Sequence, residues 1–208
     1  MIKHFVKINR NKGKLLTGFT LVELLVTLTI FSIMTGVVLV NQGKFNNTIF
    51  LSNLAHDIAL TIRQAQTYGI NVRETAQSSD LFSNYGVSFQ MGANNKNFVI
   101  FADVLGTANG LFDGSFSCPG NDSECVERYV IKNSNYIKSI CAGNDESDCT
   151  ANSATTLNIS FTRPDSDAHI KSNVKTTDQP YAKIVVASQD GANTKGIIVR
   201  STGQIYVE

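Results

Sequence analysis

The chain has 208 residues, with 18 Lys+Arg against 17 Asp+Glu and a formal net charge of +1. Its first 18 residues hold five of the cations (Lys3, Lys7, Arg10, Lys12, Lys14) and no acid, so the remainder carries 13 against 17, or −4. A mildly acidic remainder argues against a general grip on nucleic acid, which needs clustered Lys and Arg against phosphates.

In chain order, the basic stretch Met1 to Gly18 is followed by Phe19 to Val40, 22 apolar-dominated residues whose one charge is Glu23. At about 1.5 Å per residue such a helix spans about 33 Å, enough for the hydrocarbon core of a bilayer. The segment reads as a membrane span, with the basic residues held on the cytoplasmic side and everything past Val40 exported. An ordinary secretory signal would place a small-residue cleavage site after the apolar run, and none is evident.

Gly18-Phe19-Thr20-Leu21-Val22-Glu23, behind a basic leader and ahead of an unbroken apolar run, resembles the class III signal of type IV pilins and type II secretion pseudopilins. The resemblance implies that residues 1–18 form a leader peptide, that prepilin peptidase cuts after Gly18, and that Phe19 becomes N-methylated. The apolar helix then survives processing. A carboxylate inside a span is costly and usually faces a partner. In this family the partner is the freed N-terminal amine of a neighbouring subunit, which here is that of Phe19, so Glu23 becomes an assembly residue. The alternatives are a Glu23 that snorkels to the headgroups, and a plain signal anchor in which it is incidental.

Beyond Val40 the pattern turns amphipathic. Leu51, Leu54, Ile58, Ile62 and Ala65 recur at steps of three and four, a stripe able to pack on a sheet. The reading is a transmembrane half over 19–40 and an amphipathic half over 41–69, running to about Tyr68 with Gly69 as its stop. Such a rod would be about 75 Å long. Asn41, Gln42 and Gly43 form its weakest stretch, where a bend or a melted turn is expected. Major pilins often carry a proline nearby; Val40 and Asn41 stand here instead.

From 70 to 208 about 140 residues remain, enough for one exported head with a real core. Short β-like runs lie between Gly, Asn, Asp and Ser clusters: Tyr85 to Gln90, Asn97 to Asp103, Arg128 to Ile131, Tyr136 to Ile140, Leu157 to Thr162, Ala182 to Ala187, Gly196 to Arg200 and Gln204 to Val207. Two pairs read as hairpins, one around Lys132 to Asn135 and one around Ser201 to Gly203, where Gly203 supplies a positive φ. The expected fold class is α+β: a long N-terminal helix carrying an antiparallel β head of two small sheets.

Cys118, Cys125, Cys141 and Cys149 all fall in the exported part, where disulfides persist. Their spacing fits no usual zinc knuckle, so two bridges are expected and no metal or other cofactor. Four cysteines allow three connectivities. The local pairs 118–125 and 141–149 are preferred because the two loops share Gly-Asn-Asp, while a 125–141 bridge across the first hairpin is the competing choice. The acids Asp145, Glu146 and Asp148 lack the EF-hand order for Ca²⁺ and read as a solvated loop.

No catalytic residue is expected. His4 leaves with the leader, His56 sits on the rod, and His169, following a strand near Asp165 and Asp167, reads as a surface residue. Asp57 to Gln66, Ile159 to Pro164 and Lys195 to Arg200 resemble the helix and C-terminal strands of H-type minor pseudopilins and related minor pilins. The resemblance implies a filament subunit that is single-pass in the inner membrane before assembly. Its partners would be prepilin peptidase, other pilin or pseudopilin subunits, an inner-membrane assembly platform and membrane lipid. Nucleic acid is not an expected partner. A DNA-binding minor pilin is the alternative, though such receptors carry basic C-terminal residues and this chain ends Gln204-Ile-Tyr-Val-Glu208.

Overall fold

The computed structural model describes residues 18–71, 84–104, 109–116 and 124–208. The chain divides into two compact units at Gly43/Lys44. Helix α1 (Leu21–Ile70) contributes to both. Its backbone is helical through Asn41, Gln42 and Gly43, so the expected melted turn is absent.

In the first unit the apolar stretch Leu21–Leu39 is nowhere buried. Its three threonines bond back to the helix itself: Thr27, Thr29 and Thr35 donate their hydroxyls to the carbonyls of Leu24, Val26 and Phe31 at 2.9, 2.8 and 2.8 Å. A threonine that bonds back to its own helix brings no orphan donor into lipid.

The second unit is built on two five-stranded antiparallel sheets. The first has the order β3-β2-β1-β6-β7, with β1 Asn84–Gln90, β2 Asn97–Asp103, β3 Cys125–Val130, β6 Thr156–Phe161 and β7 Ala168–Ser172. The second has the order β10-β9-β8-β4-β5, with β4 Tyr136–Gly143, β5 Ser153–Ala154, β8 Tyr181–Ala187, β9 Thr194–Arg200 and β10 Ile205–Val207. A short helix, α2 (Glu146–Ala151), joins β4 to β5. This is the α+β arrangement of helix and two antiparallel sheets.

One continuous core holds the inner faces of both sheets and the α1 stripe Leu51, Ala55, Ile58, Ala59, Ile62 and Ala65. Leu54 is only partly buried and packs at its margin. The alternation is plain on the first sheet, where Val87 and Phe89 of β1, Ile100 of β2 and Leu157 and Ile159 of β6 point inward. Each fully buried Ile or Leu contributes about 1.5–3 kcal/mol of transfer free energy.

Three expectations need correction. Gly69 does not stop the helix; α1 runs on to Ile70. A Cβ at Gly69 would lie 2.6 Å from the Phe161 carbonyl oxygen, so glycine is required there for a close approach to β6. The hairpin around Lys132 to Asn135 does not form, because β3 and β4 belong to different sheets. The tight turn is present, with Asn133 and Ser134 both left-handed at φ 58° and 57°. The β1–β2 connection occupies the mouth: Ile131 N donates to the Lys96 carbonyl and Ile137 N to the Asn95 carbonyl, each at 2.8 Å. Finally, β5, β7 and α2 were not among the expected elements. The other hairpin does form: β9 pairs with β10 (Val199 with Ile205), and Gly203 turns at φ 77°.

Candidate processing and assembly segment

The segment from Gly18 to Glu23 is built by a helix start. Gly18, Phe19 and Thr20 are non-helical, and α1 begins at Leu21. Thr20 caps it: its Oγ1 accepts from Glu23 N at 3.2 Å, and its carbonyl accepts from Leu24 N at 3.1 Å. Thr-x-x-Glu is the order of a capping box, a signal in the sequence that the reading above did not use. The cap fixes where the helix begins, so Glu23 falls in its first turn, where the positive end of the helix dipole favours a carboxylate. Glu23 lies near one end of the apolar run rather than at its centre.

The bond between Gly18 and Phe19 lies in open backbone. A Cβ at Gly18 would have nothing within 4 Å, and Phe19 is 80 % exposed. Both residues of this junction are non-helical and exposed, and the helix begins only at Leu21. Residues 1–17 of the expected leader lie outside the described residues.

In the second unit α1 is pinned to strand ends by two polar side chains. Arg63 Nη2 donates to the Ile205 carbonyl at 3.0 Å, and Gln66 Nε2 donates to the Ser166 carbonyl at 2.9 Å. Gln64 Nε2 bonds the Tyr68 hydroxyl at 2.6 Å. Burial, reinforced by Glu127, pushes the Tyr129 hydroxyl up to about 12. Burial also raises the Asp103 carboxyl above its ordinary range, against a hydrogen bond from the Gly110 backbone.

Cys141 and Cys149 are joined in a disulfide with Cα atoms 5.2 Å apart, the local pairing within the second loop. Cys125 is disulfide-bonded too, which removes a 125–141 bridge, while Cys118 lies outside the described residues. Inside the Cys141 loop Asp145 caps α2, accepting from Asp148 N at 2.9 Å and from Ser147 Oγ at 2.6 Å. Those bonds, the Ser147 one foremost, hold its pKa below the usual value. Asp148 is lowered first by the Asn144 backbone N–H, then by Lys175 at 3.6 Å. The acids of this loop thus cap and tie their own backbone. Among the described residues no group of three or more His, Cys, Asp or Glu is placed to hold a metal ion.

Lys183 is bridged by two carboxylates, Glu146 of α2 at 2.6 Å and Glu208 at the end of the chain. Burial works against its charge, but the two acids outweigh it and hold the pKa above the ordinary lysine range. The Arg200 guanidinium sits over the Tyr181 ring at 5.9 Å. His169 lies within β7, and its Nδ1 is 2.9 Å from Asp178 Oδ2, so its acidic neighbour is Asp178 rather than the expected Asp165 or Asp167.

Residues 17–39 match the family model described as the prokaryotic N-terminal methylation motif. Neither the curated proteins nor the solved structures contain a match to the chain. The motif covers the open junction, the Thr20 cap and the apolar part of α1. It supports a type IV pilin-like N-terminus processed by prepilin peptidase and is consistent with a membrane anchor that later joins a filament.

Proposed function

We propose that this chain is a minor pilin or pseudopilin, a structural subunit of a type IV pilus or type II secretion pseudopilus. Prepilin peptidase removes residues 1–18, Phe19 is methylated, and the apolar part of α1 holds the subunit in the inner membrane until the assembly platform extracts it. Glu23 pairs with the freed amine of a neighbouring subunit's Phe19. The observation that carries this reading is the order of features at one helix end: an exposed, non-helical Gly18–Phe19 bond, a Thr20 cap, then an apolar helix with its single carboxylate in the first turn.

The C-terminal strands favour a filament part over a DNA-uptake receptor. Lys183 is neutralised by Glu146 and Glu208, and Arg200 is stacked on Tyr181. Arg200 keeps its charge over the ring, so it and Lys195 are the two cations these strands offer, few for the phosphate contacts a DNA receptor makes.

The test is mass spectrometry of protein from the native membrane. The mature chain is expected to begin at N-methyl-Phe19, and replacing Gly18 by Glu should leave the precursor entirely uncut. A mature N-terminus beyond Val40 would remove the pilin reading.

A further inference from the structure

The outer face of the first sheet is polar and nevertheless buried. In register across β1 and β6, Ser88 faces Asn158, and Gly86 faces Ser160. Ser88 is 3 %, Asn158 7 % and Ser160 1 % exposed. A solvated sheet face would leave such side chains to water. Here residues 109–116 lie over them: Phe112 packs on Phe101 with ring centroids 5.6 Å apart, Phe116 meets Phe112 edge-on at 5.3 Å, and Lys171 Nζ donates to the Asn109 carbonyl at 2.7 Å. Among the described residues four buried side-chain polar atoms lack a hydrogen-bond partner, and three lie on this face: Asp103 Oδ1, Asn158 Oδ1 and Ser160 Oγ. Buried polar atoms are nearly always satisfied, so an orphan on a residue that also borders the cleft beside Phe112 and Phe116, as Asn158 does and Asp103 and Ser160 do not, marks a place where a partner belongs.

Asn158 lines a cleft of about 260 Å³ together with Ser88, Gln90, Thr156, Phe112 and Phe116. The geometry points to this cleft as a binding site for a neutral polyhydroxylated ligand, a single sugar ring at the end of a glycan. Amides and hydroxyls both donate and accept, which matches sugar hydroxyls, and the two phenyl rings offer an apolar surface for the C–H side of the ring. Among the described residues no cation lines the cleft and Asp113 is its one charge, so an anionic ligand is disfavoured. The volume suits one ring. A peptide strand is a poorer occupant, because β1 and β6 are interior strands whose backbone groups already pair on both sides, leaving no open edge.

The experiment uses the full chain in a detergent without a sugar headgroup. Saturation-transfer NMR is run with glucose, galactose, mannose, N-acetylglucosamine and N-acetylgalactosamine, and with sialic acid as the anionic contrast. At least one neutral sugar should bind with a Kd of about 1 mM or tighter and sialic acid at least tenfold more weakly. Asn158→Leu should weaken that sugar about tenfold while leaving the melting temperature unchanged or higher, since it removes a buried orphan. Phe112→Ala should weaken it as well. The assignment is overturned if no neutral sugar binds, if sialic acid is preferred, or if Asn158→Leu binds as the parent does. None of these outcomes bears on processing or filament assembly.

Discussion

The two halves of α1 share one kind of backbone and live in different solvents. Leu21–Leu39 shows apolar side chains all round and buries none of them within the chain, whereas from Leu51 to Ala65 one stripe is buried to near zero exposure and Leu60 on the opposite side is 59 % exposed. Helical propensity does not separate them. What separates them is whether the chain supplies its own cover. The second half has a core to enter, and the first half requires lipid or other subunits to shield it.

Glu23→Ala is the substitution with the largest expected effect on this contrast, because it removes the only charge of the uncovered half. Membrane insertion and cleavage should persist, since the span becomes more apolar. Incorporation into sheared filaments should fall severalfold on quantitative blots of filament and membrane fractions. Normal incorporation would reduce Glu23 to a helix-capping and headgroup-facing residue.

A matched pair of truncations sharpens the comparison. Ile58→Ala, in the covered half, should destabilise the second unit by about 2–5 kcal/mol. Leu28→Ala, in the exposed half, should leave thermal unfolding of that unit unchanged when both are followed in detergent by circular dichroism. Equal losses would mean that the two halves do not differ in cover.

Reducing Cys141–Cys149 should lower the melting temperature by an amount equivalent to about 2–3 kcal/mol, because the closed loop restricts the unfolded chain. Thermal scans with and without reductant measure it, and thiol counts without reductant should find neither residue alkylatable.

The smallest effect is pH-dependent. Hydrogen bonds from Ser147 to Asp145 and from Asn144 to Asp148 hold both folded pKa values below the ordinary aspartate range. The stability they contribute is therefore present above the unfolded value and is lost as pH falls through the folded one. Melting temperature should hold between about pH 7 and 5 and decline below about pH 4, and Asp145→Asn should flatten part of that decline. A profile rising toward acid would contradict the hydrogen bonding seen in the Cys141 loop.

Eight strands were legible because short apolar and β-branched runs stand between Gly, Asn, Asp and Ser clusters, and residue type alone carries that signal. β7, Ala168-His-Ile-Lys-Ser172, hid because only Ile170 is a large inward-facing apolar residue; Ala168 and Ser172 are buried but small. α2 hid inside an acidic loop, although Asp145 with an acid three residues on is a cap pattern. Thr20-x-x-Glu23 is likewise a cap pattern, and it sets the start of α1.

The sequence by itself determined the methylation motif, the apolar run, the amphipathic stripe and the strand-forming segments, since each is a property of neighbouring residues and of the medium they prefer. Only the tertiary structure decided which strands pair. Asn133 and Ser134 make a tight turn in either case, but the β1–β2 connection takes the backbone groups a hairpin would have used, and β3 and β4 part into separate sheets. It also decided that Ser88, Asn158 and Ser160 are buried. Polar alternation reads as a solvated face until a distant segment, here residues 109–116, folds over it, and that cover depends on long-range packing that no local pattern encodes.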